Sequence, residues 1–172
     1  MLTLGVDVGV TGCIACLRDD GAFQDLEDLP IVFHRKTKLI DGIALRDIVR
    51  RMRQGMPAIA VIEKTQPTPK LGVTQAFSMG MTLGSTIDAL RFGGCSLEFV
   101  LPQVWKRAAG LLMPGATDTE KKRASLNRAR KLFPSAPLDL AGNHNRAESL
   151  LIARWYQEWT AGRTAQGNLA VA

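Results

Sequence analysis

The alternation of apolar and polar positions divides the chain into short strands followed by helices. "MLTLGVDVG", residues 1–9, alternates apolar and small residues as far as Asp7. "TGCIACLRDDGAFQDLEDL", 11–29, adds two apolar runs separated by Asp20-Gly21, a turn pair. Three consecutive antiparallel strands are therefore predicted. After the extended, basic "FHRKTK" at 33–38, Asp41 can cap a helix in which Ile43, Ile48, Val49 and Met52 recur at helical spacing. "PAIAVIE", 57–63, is apolar without alternation until it stops at Glu63, the pattern of a parallel strand covered on both faces.

The second half reads as mostly helical. A loop with two prolines, "KTQPTPKL" at 64–71, precedes a long helix over 72–94 in which Gly80 and Gly84, one turn apart, allow another backbone to come close. "SLEFV", 96–100, is the last strand, and "PQVWKRAAG" is a short helix with Pro102 at its first position. Residues 117–133 form a basic helix opened by a Thr117/Glu120 capping box. "GNHNRAESLLIARW", 142–155, begins the final helix, and past Trp159 the chain turns to Gly, Thr, Gln and Asn. The organisation expected is one domain over 1–161 with a flexible tail over 162–172.

Composition narrows the class. A chain of 172 residues, 46% of them hydrophobic, can bury a core as a single domain. Its apolar runs break well short of a membrane span, and its start lacks the basic and apolar regions of a signal peptide, so a soluble cytoplasmic protein is expected. The odd count of three cysteines gives no disulfide framework, and a separation of three residues directs Cys13 and Cys16 to opposite faces of a strand. The net charge of +6 is uneven. Residues 18–28 carry five acids against Arg18, whereas 103–131 carry eight Lys or Arg against Asp118 and Glu120. A polyanion partner or a solvated helix face would each account for that basic segment.

Three carboxylates bring in chemistry. Asp7 and Glu63 each end an apolar strand, so if those strands are neighbours the two acids meet at one sheet edge. At about 100° per residue, with Glu148 as origin, Leu151, Ile152, Trp155 and Trp159 fall within about 60° of it. Glu148 thus sits inside the apolar stripe. His144 and Asn145 flank it on the same scale, while Asn143 points away and reads as a helix cap. Inward acids that gather at one point raise one another's pKa and destabilise a fold unless a cation holds them. Oxygen ligands with an imidazole or amide suit Mg²⁺ or Mn²⁺ better than Zn²⁺. Any one of these acids alone could equally serve a helix dipole or a salt bridge.

Taken in order, "GVDVGVTG", "AVIEKTQP", "PQVWKRAAG" with "TEKKRAS", and "FPSAPLDLAGNHNRAESLLIA" resemble the motifs of the RuvC-like Holliday junction resolvases of the ribonuclease H superfamily, most closely their phage versions. The resemblance spans roughly residues 2–156. It implies an α/β fold with a five-stranded mixed sheet flanked by helices, a homodimer built on the long glycine-containing helix, and two-metal hydrolysis of phosphodiesters in four-way or branched DNA, with Mg²⁺ or Mn²⁺ as cofactor. It assigns Asp7, Glu63 and Glu148 to the metals, and His144 or Asn145 to completing the shell or orienting the water. Lys106 and Lys121 match lysines near the scissile strand. Lys70, Arg107, Lys122, Arg123 and Arg128 would hold DNA arms through phosphates. The chain departs from the family's pattern at Asn145 and Asn143, where many members carry acids, and "KTQPTPK" lacks the family's loop aromatic. A junction-binding protein with a weakened site is therefore the alternative. An ATP-binding fold of the actin type ranks last, since no second Asp-x-Gly phosphate loop is present.

Overall fold

The computed structural model describes residues 1–64, 71–140 and 142–169, with side chains described as far as 163. Three antiparallel strands lead the chain as expected: β1 (Leu2–Asp7), β2 (Cys13–Leu17) and β3 (Phe23–Asp28). The β2–β3 turn closes as Arg18 N donates to the Ala22 carbonyl, with Gly21 in the left-handed region at φ 79°. The basic stretch that follows is a separate hairpin of β4 (Ile31–His34) and β5 (Thr37–Ile40), a second sheet that the sequence pattern did not predict.

Helix α1 (Gly42–Arg53) is capped by Asp41, whose Oδ1 accepts from Ala44 N at 3.0 Å. Strand β6 (Ala58–Glu63), helix α2 (Val73–Phe92) and strand β7 (Ser96–Val100) come next. Helix α3 (Pro102–Ala108) begins with its proline, α4 (Asp118–Leu132) opens on the Thr117/Glu120 capping box, and α5 spans His144–Leu169. The stretch expected as a tail falls partly within α5, and 170–172 lie outside the described residues.

The main sheet has the order β3-β2-β1-β6-β7, antiparallel for the first three strands and parallel across β1, β6 and β7. It is the five-stranded mixed sheet flanked by helices that the resemblance implies. One face packs Leu2, Leu4, Val6, Ala60 and Ile62 against α1 and α2, and the other packs Ile59 and Val61 against α3, α4 and α5. Cys13 and Cys16 lie in opposite clusters, and all three cysteines are free and buried. None of the helices described is long and apolar enough to cross a membrane.

Glycine decides the closest approach in the fold. A Cβ built at Gly5 would stand 1.9 Å from the Ser149 carbonyl oxygen and 2.6 Å from Ala153 N, so α5 lies with its backbone directly on β1. Gly80 and Gly84, which the sequence offers for such a contact, meet nothing within 4 Å among the described residues.

Candidate active site

Strand geometry brings the first two acids together. Side chains alternate along a strand, so Asp7 shares the face of Thr3 and Gly5, and Glu63 that of Ile59 and Val61, which pack toward α5. β1 and β6 pair in parallel with Val6 opposite Ile62, so Asp7 and Glu63 end on the same sheet edge and the same face. After Asp7 the chain doubles back through Val8–Gly12. A Cβ at Gly12 would lie 2.1 Å from the Asp7 carbonyl oxygen, so this turn admits only glycine there.

The third acid arrives from α5. Residues 147–153 are buried throughout except Glu148, which keeps 14% of its side chain exposed. The helix is covered more completely than a single apolar stripe implies, because the sheet lies beneath it and α4 beside it. Trp159, placed in that stripe by angle, is 38% exposed, being beyond the sheet's cover. Burial, then the charges of Glu148 and Glu63, lift the Asp7 carboxyl from 3.8 to about 7, while Lys106 opposes the rise. Burial also raises the Glu63 carboxyl, against the lowering effects of the Trp105 N–H and Lys106.

Each glutamate has a protein partner. Trp105, fully buried on α3, donates its ring N–H to Glu63 Oε2 at 2.6 Å. This is possible because β7 ends at Val100, opposite Glu63, and α3 starts two residues later. Ser125 on α4 donates its hydroxyl to Glu148 Oε1 at 3.0 Å, and Lys106 Nζ lies 3.3 Å from Glu148 Oε2 and 4.9 Å from the Trp105 ring. Trp105, Ser125 and Gly5 were not singled out from the sequence. The signals were a buried indole N–H that needs an acceptor and a lone serine on the inner face of a basic helix.

The remaining expected residues divide. Asn145 turns its amide toward the glycine turn, donating to the Thr11 carbonyl at 2.5 Å and to Thr11 Oγ1 at 3.3 Å. It ties the first turn of α5 to the loop after Asp7. His144 faces a groove of about 620 Å³ that Thr11, Ile31, Lys122 and Arg146 also line. Burial, then Lys122, lower its pKa below 6.5. Asn143 immediately precedes α5, its carbonyl accepting from Ala147 N and its side chain donating to Pro137 O. Lys122 and Arg123 line a second groove that also reaches His144, whereas Lys121 pairs with Asp118 at 3.9 Å. Arg107 is exposed on α3, and Arg128 opens toward Leu151 and Trp155 on the far flank of α5. Lys70 lies outside the described residues.

The donor set suits a hard divalent cation in kind, since three carboxylates gather where burial and mutual repulsion already penalise their charge. A converged ligand shell is not formed: among the described residues no group of three His, Cys, Asp or Glu stands ready to hold a metal. Glu63 and Glu148 are instead engaged by Trp105, Ser125 and Lys106, whose ammonium supplies positive charge beside them.

Such an edge-clustered acid set on a mixed sheet, antiparallel then parallel and closed by a helix carrying the last acid, places the chain among ribonuclease H-like folds. Within that class the fold is RuvC-like. RuvC of Thermus thermophilus in complex with a Holliday junction substrate superposes with a TM-score of 0.63 at 18% identity, covering 93% of this chain and 96% of that one. A second structure of Thermus thermophilus RuvC gives 0.57 at 14% identity, with coverages of 93% and 97%. The yeast mitochondrial Holliday junction resolvase Ydc2 gives 0.54 at 13% identity, with coverages of 97% and 82%. No family model matches the chain, and no curated protein matches it in sequence. The likeness is thus one of fold.

Proposed function

We propose that this protein is a structure-selective DNA endonuclease that hydrolyses phosphodiesters at four-way or branched DNA with Mg²⁺ or Mn²⁺. The observation that carries the reading is the meeting of Asp7, Glu63 and Glu148, with Lys106 among them, at one edge of a RuvC-like sheet. Asp7, Glu63 and Glu148 would hold the metal, two ions by the resemblance, with Asn145 Oδ1 a further candidate because Thr11 engages the Asn145 NH2 and not that oxygen. Bound metal would supply an activated water and charge neutralisation at the phosphate. His144, whose pKa burial and Lys122 lower, lines the groove and would accept a proton or orient a water there. Lys106 would shift from Glu148 to the incoming phosphate, while Lys122 and Arg123 hold the strand beyond it.

A homodimer through α2 belongs to the same proposal. Val73, Phe77 and Met81 are exposed there, and Gly80 leaves room for a second backbone. The test is nicking of a labelled four-way junction against linear duplex, with and without Mn²⁺. Glu63→Gln and Glu148→Gln should abolish cutting while binding persists. Wild-type rates in both variants would sink the assignment. The engagement of Glu63 by Trp105 and of Glu148 by Ser125 and Lys106 favours one alternative, a junction-binding protein with a weakened site. Tight junction binding without cleavage in either metal would establish that alternative.

A further inference from the structure

The β4–β5 hairpin has no part in the acid cluster, yet it grows from the same sheet edge. Asp28, the last residue of β3, pairs with Cys13, which pairs with Asp7. The chain leaving β3 is pinned there: Leu29 N donates to the Gly12 carbonyl, Asp41 N to the Pro30 carbonyl, and Leu29 and Ile40 are buried. Ile31, the first hairpin residue, borders the groove that also holds His144, Asn145 and Lys122. Above this fixed base residues 32–38 are all exposed. Four paired positions per strand give a ribbon about 13 Å long at ~3.3 Å per residue.

The exposed part is cationic and unpaired. Residues 31–40 contain Arg35, Lys36, Lys38 and His34 and no acid. Among the described residues no ion pair or hydrogen bond engages any of those four side chains. Phe33, opposite Lys38 in the register, is 61% exposed.

Backbone conformation adds a separate observation. Arg35 begins the two-residue turn at φ 55°, the left-handed region where hairpins normally place Gly, Asn or Asp. A long cation occupies a position that glycine would fill at lower cost. The Arg35 guanidinium stands exposed at the tip of the ribbon, where an anion can reach it.

We infer that the β4–β5 hairpin is a second DNA-binding element, holding a duplex arm through backbone phosphates with Arg35, Lys36 and Lys38. A two-stranded ribbon is narrow enough for the major groove, about 12 Å wide. The inference rests on the proposed DNA substrate, and it adds a contact beyond the basic surface of α3 and α4.

The experiment measures binding of the full chain to a labelled four-way junction and to linear duplex across a KCl series in EDTA, where no cutting occurs. Lys36→Gln should flatten the slope of log affinity against log salt by about 0.9, and Arg35→Gln/Lys36→Gln/Lys38→Gln by about 2.7. Affinity in the triple variant should fall at least about tenfold at 0.1 M salt. Arg35→Gly should also flatten the slope while melting at or above the wild-type temperature, which separates a DNA contact from a structural role. Arg91→Gln, in the last turn of α2 beside the start of β7, is the charge control and should leave the slope unchanged. If wild type binds DNA and the hairpin variants keep its slope, the inference fails and the proposed function stands. If wild type binds neither DNA, both fail. Unchanged DNA slopes with lost binding to anionic phospholipid vesicles would assign the hairpin to a membrane surface and overturn the inference.

Discussion

Replacing Gly5 with alanine should disturb fold and site together. The added Cβ would sit 1.9 Å from the Ser149 carbonyl oxygen, and ordinary contact begins at 3.4 Å, so α5 or β1 must retreat by 3.4 − 1.9 = 1.5 Å. Neither has an easy path. β1 is the central strand, and α5 is enclosed over 147–153 by the sheet and α4. Both obstructing atoms belong to backbone, so no side chain can rotate away. Overpacking costs about 1–3 kcal/mol where side chains can adjust, so Gly5→Ala should cost about 3 kcal/mol or more. For a domain of this size that lowers the melting temperature by about 6–12 °C. Glu148 adjoins Ser149, so the same retreat draws it from Asp7, and a displacement on the order of 1 Å can cost about 100-fold in rate. Circular dichroism melts beside junction-nicking rates would measure both. Gly162→Ala in the exposed part of α5, where a Cβ meets nothing, is the control and should gain about 0.5–1 kcal/mol. A Gly5→Ala protein that melts and cuts like wild type would refute the claim that backbone contact here sets the distance between Glu148 and Asp7.

Other outcomes follow from the same geometry. Because Asp7 titrates near 7 when folded and 3.8 when unfolded, the folded state binds the extra proton. Its contribution is therefore fully present below pH 3.8 and lost as pH rises through about 7. In metal-free urea titrations between pH 4 and 8, Asp7→Asn should flatten that decline by about 2–4 kcal/mol, and an unchanged profile would count against the clustered acids. Trp105→Phe keeps an aromatic side chain but removes the pyrrole part of the indole with the N–H that Glu63 accepts. A loss of about 1–3 kcal/mol is expected in denaturant melts, together with a further rise of the Glu63 pKa visible by NMR. Asn145→Asp removes the amide donors held by Thr11 and adds a carboxylate. It should tighten Mn²⁺ binding by calorimetry while lowering the melting temperature without metal, and unchanged metal affinity would exclude position 145 from the ligand shell.

Much of this architecture is legible from pattern alone. The strand runs ending at Asp7 and Glu63 determine which face each acid shares, because side-chain alternation depends only on counting by two. The caps at Asp41 and Thr117 are local chemistry and hold as read. Long-range packing was not legible. Gly5 and Gly80 look alike in sequence, yet only the sheet-to-helix stacking shows that one carries a backbone contact. Asn145 flanks Glu148 by angle, but the turn after Asp7 approaches from another element and takes its amide. The β4–β5 hairpin lacks the Gly or Asn that usually marks such a turn, so "FHRKTK" read only as extended and basic.

The central claim, that the acids gathered by β1, β6 and α5 form a DNA-cleaving centre, is met most directly by one assay. Purified wild type, Glu63→Gln and Glu148→Gln are incubated with a labelled four-way junction and a matched linear duplex in Mn²⁺. If the claim holds, wild type nicks the junction, neither variant does, and all three retain junction binding. Equal cutting by wild type and both variants would contradict it.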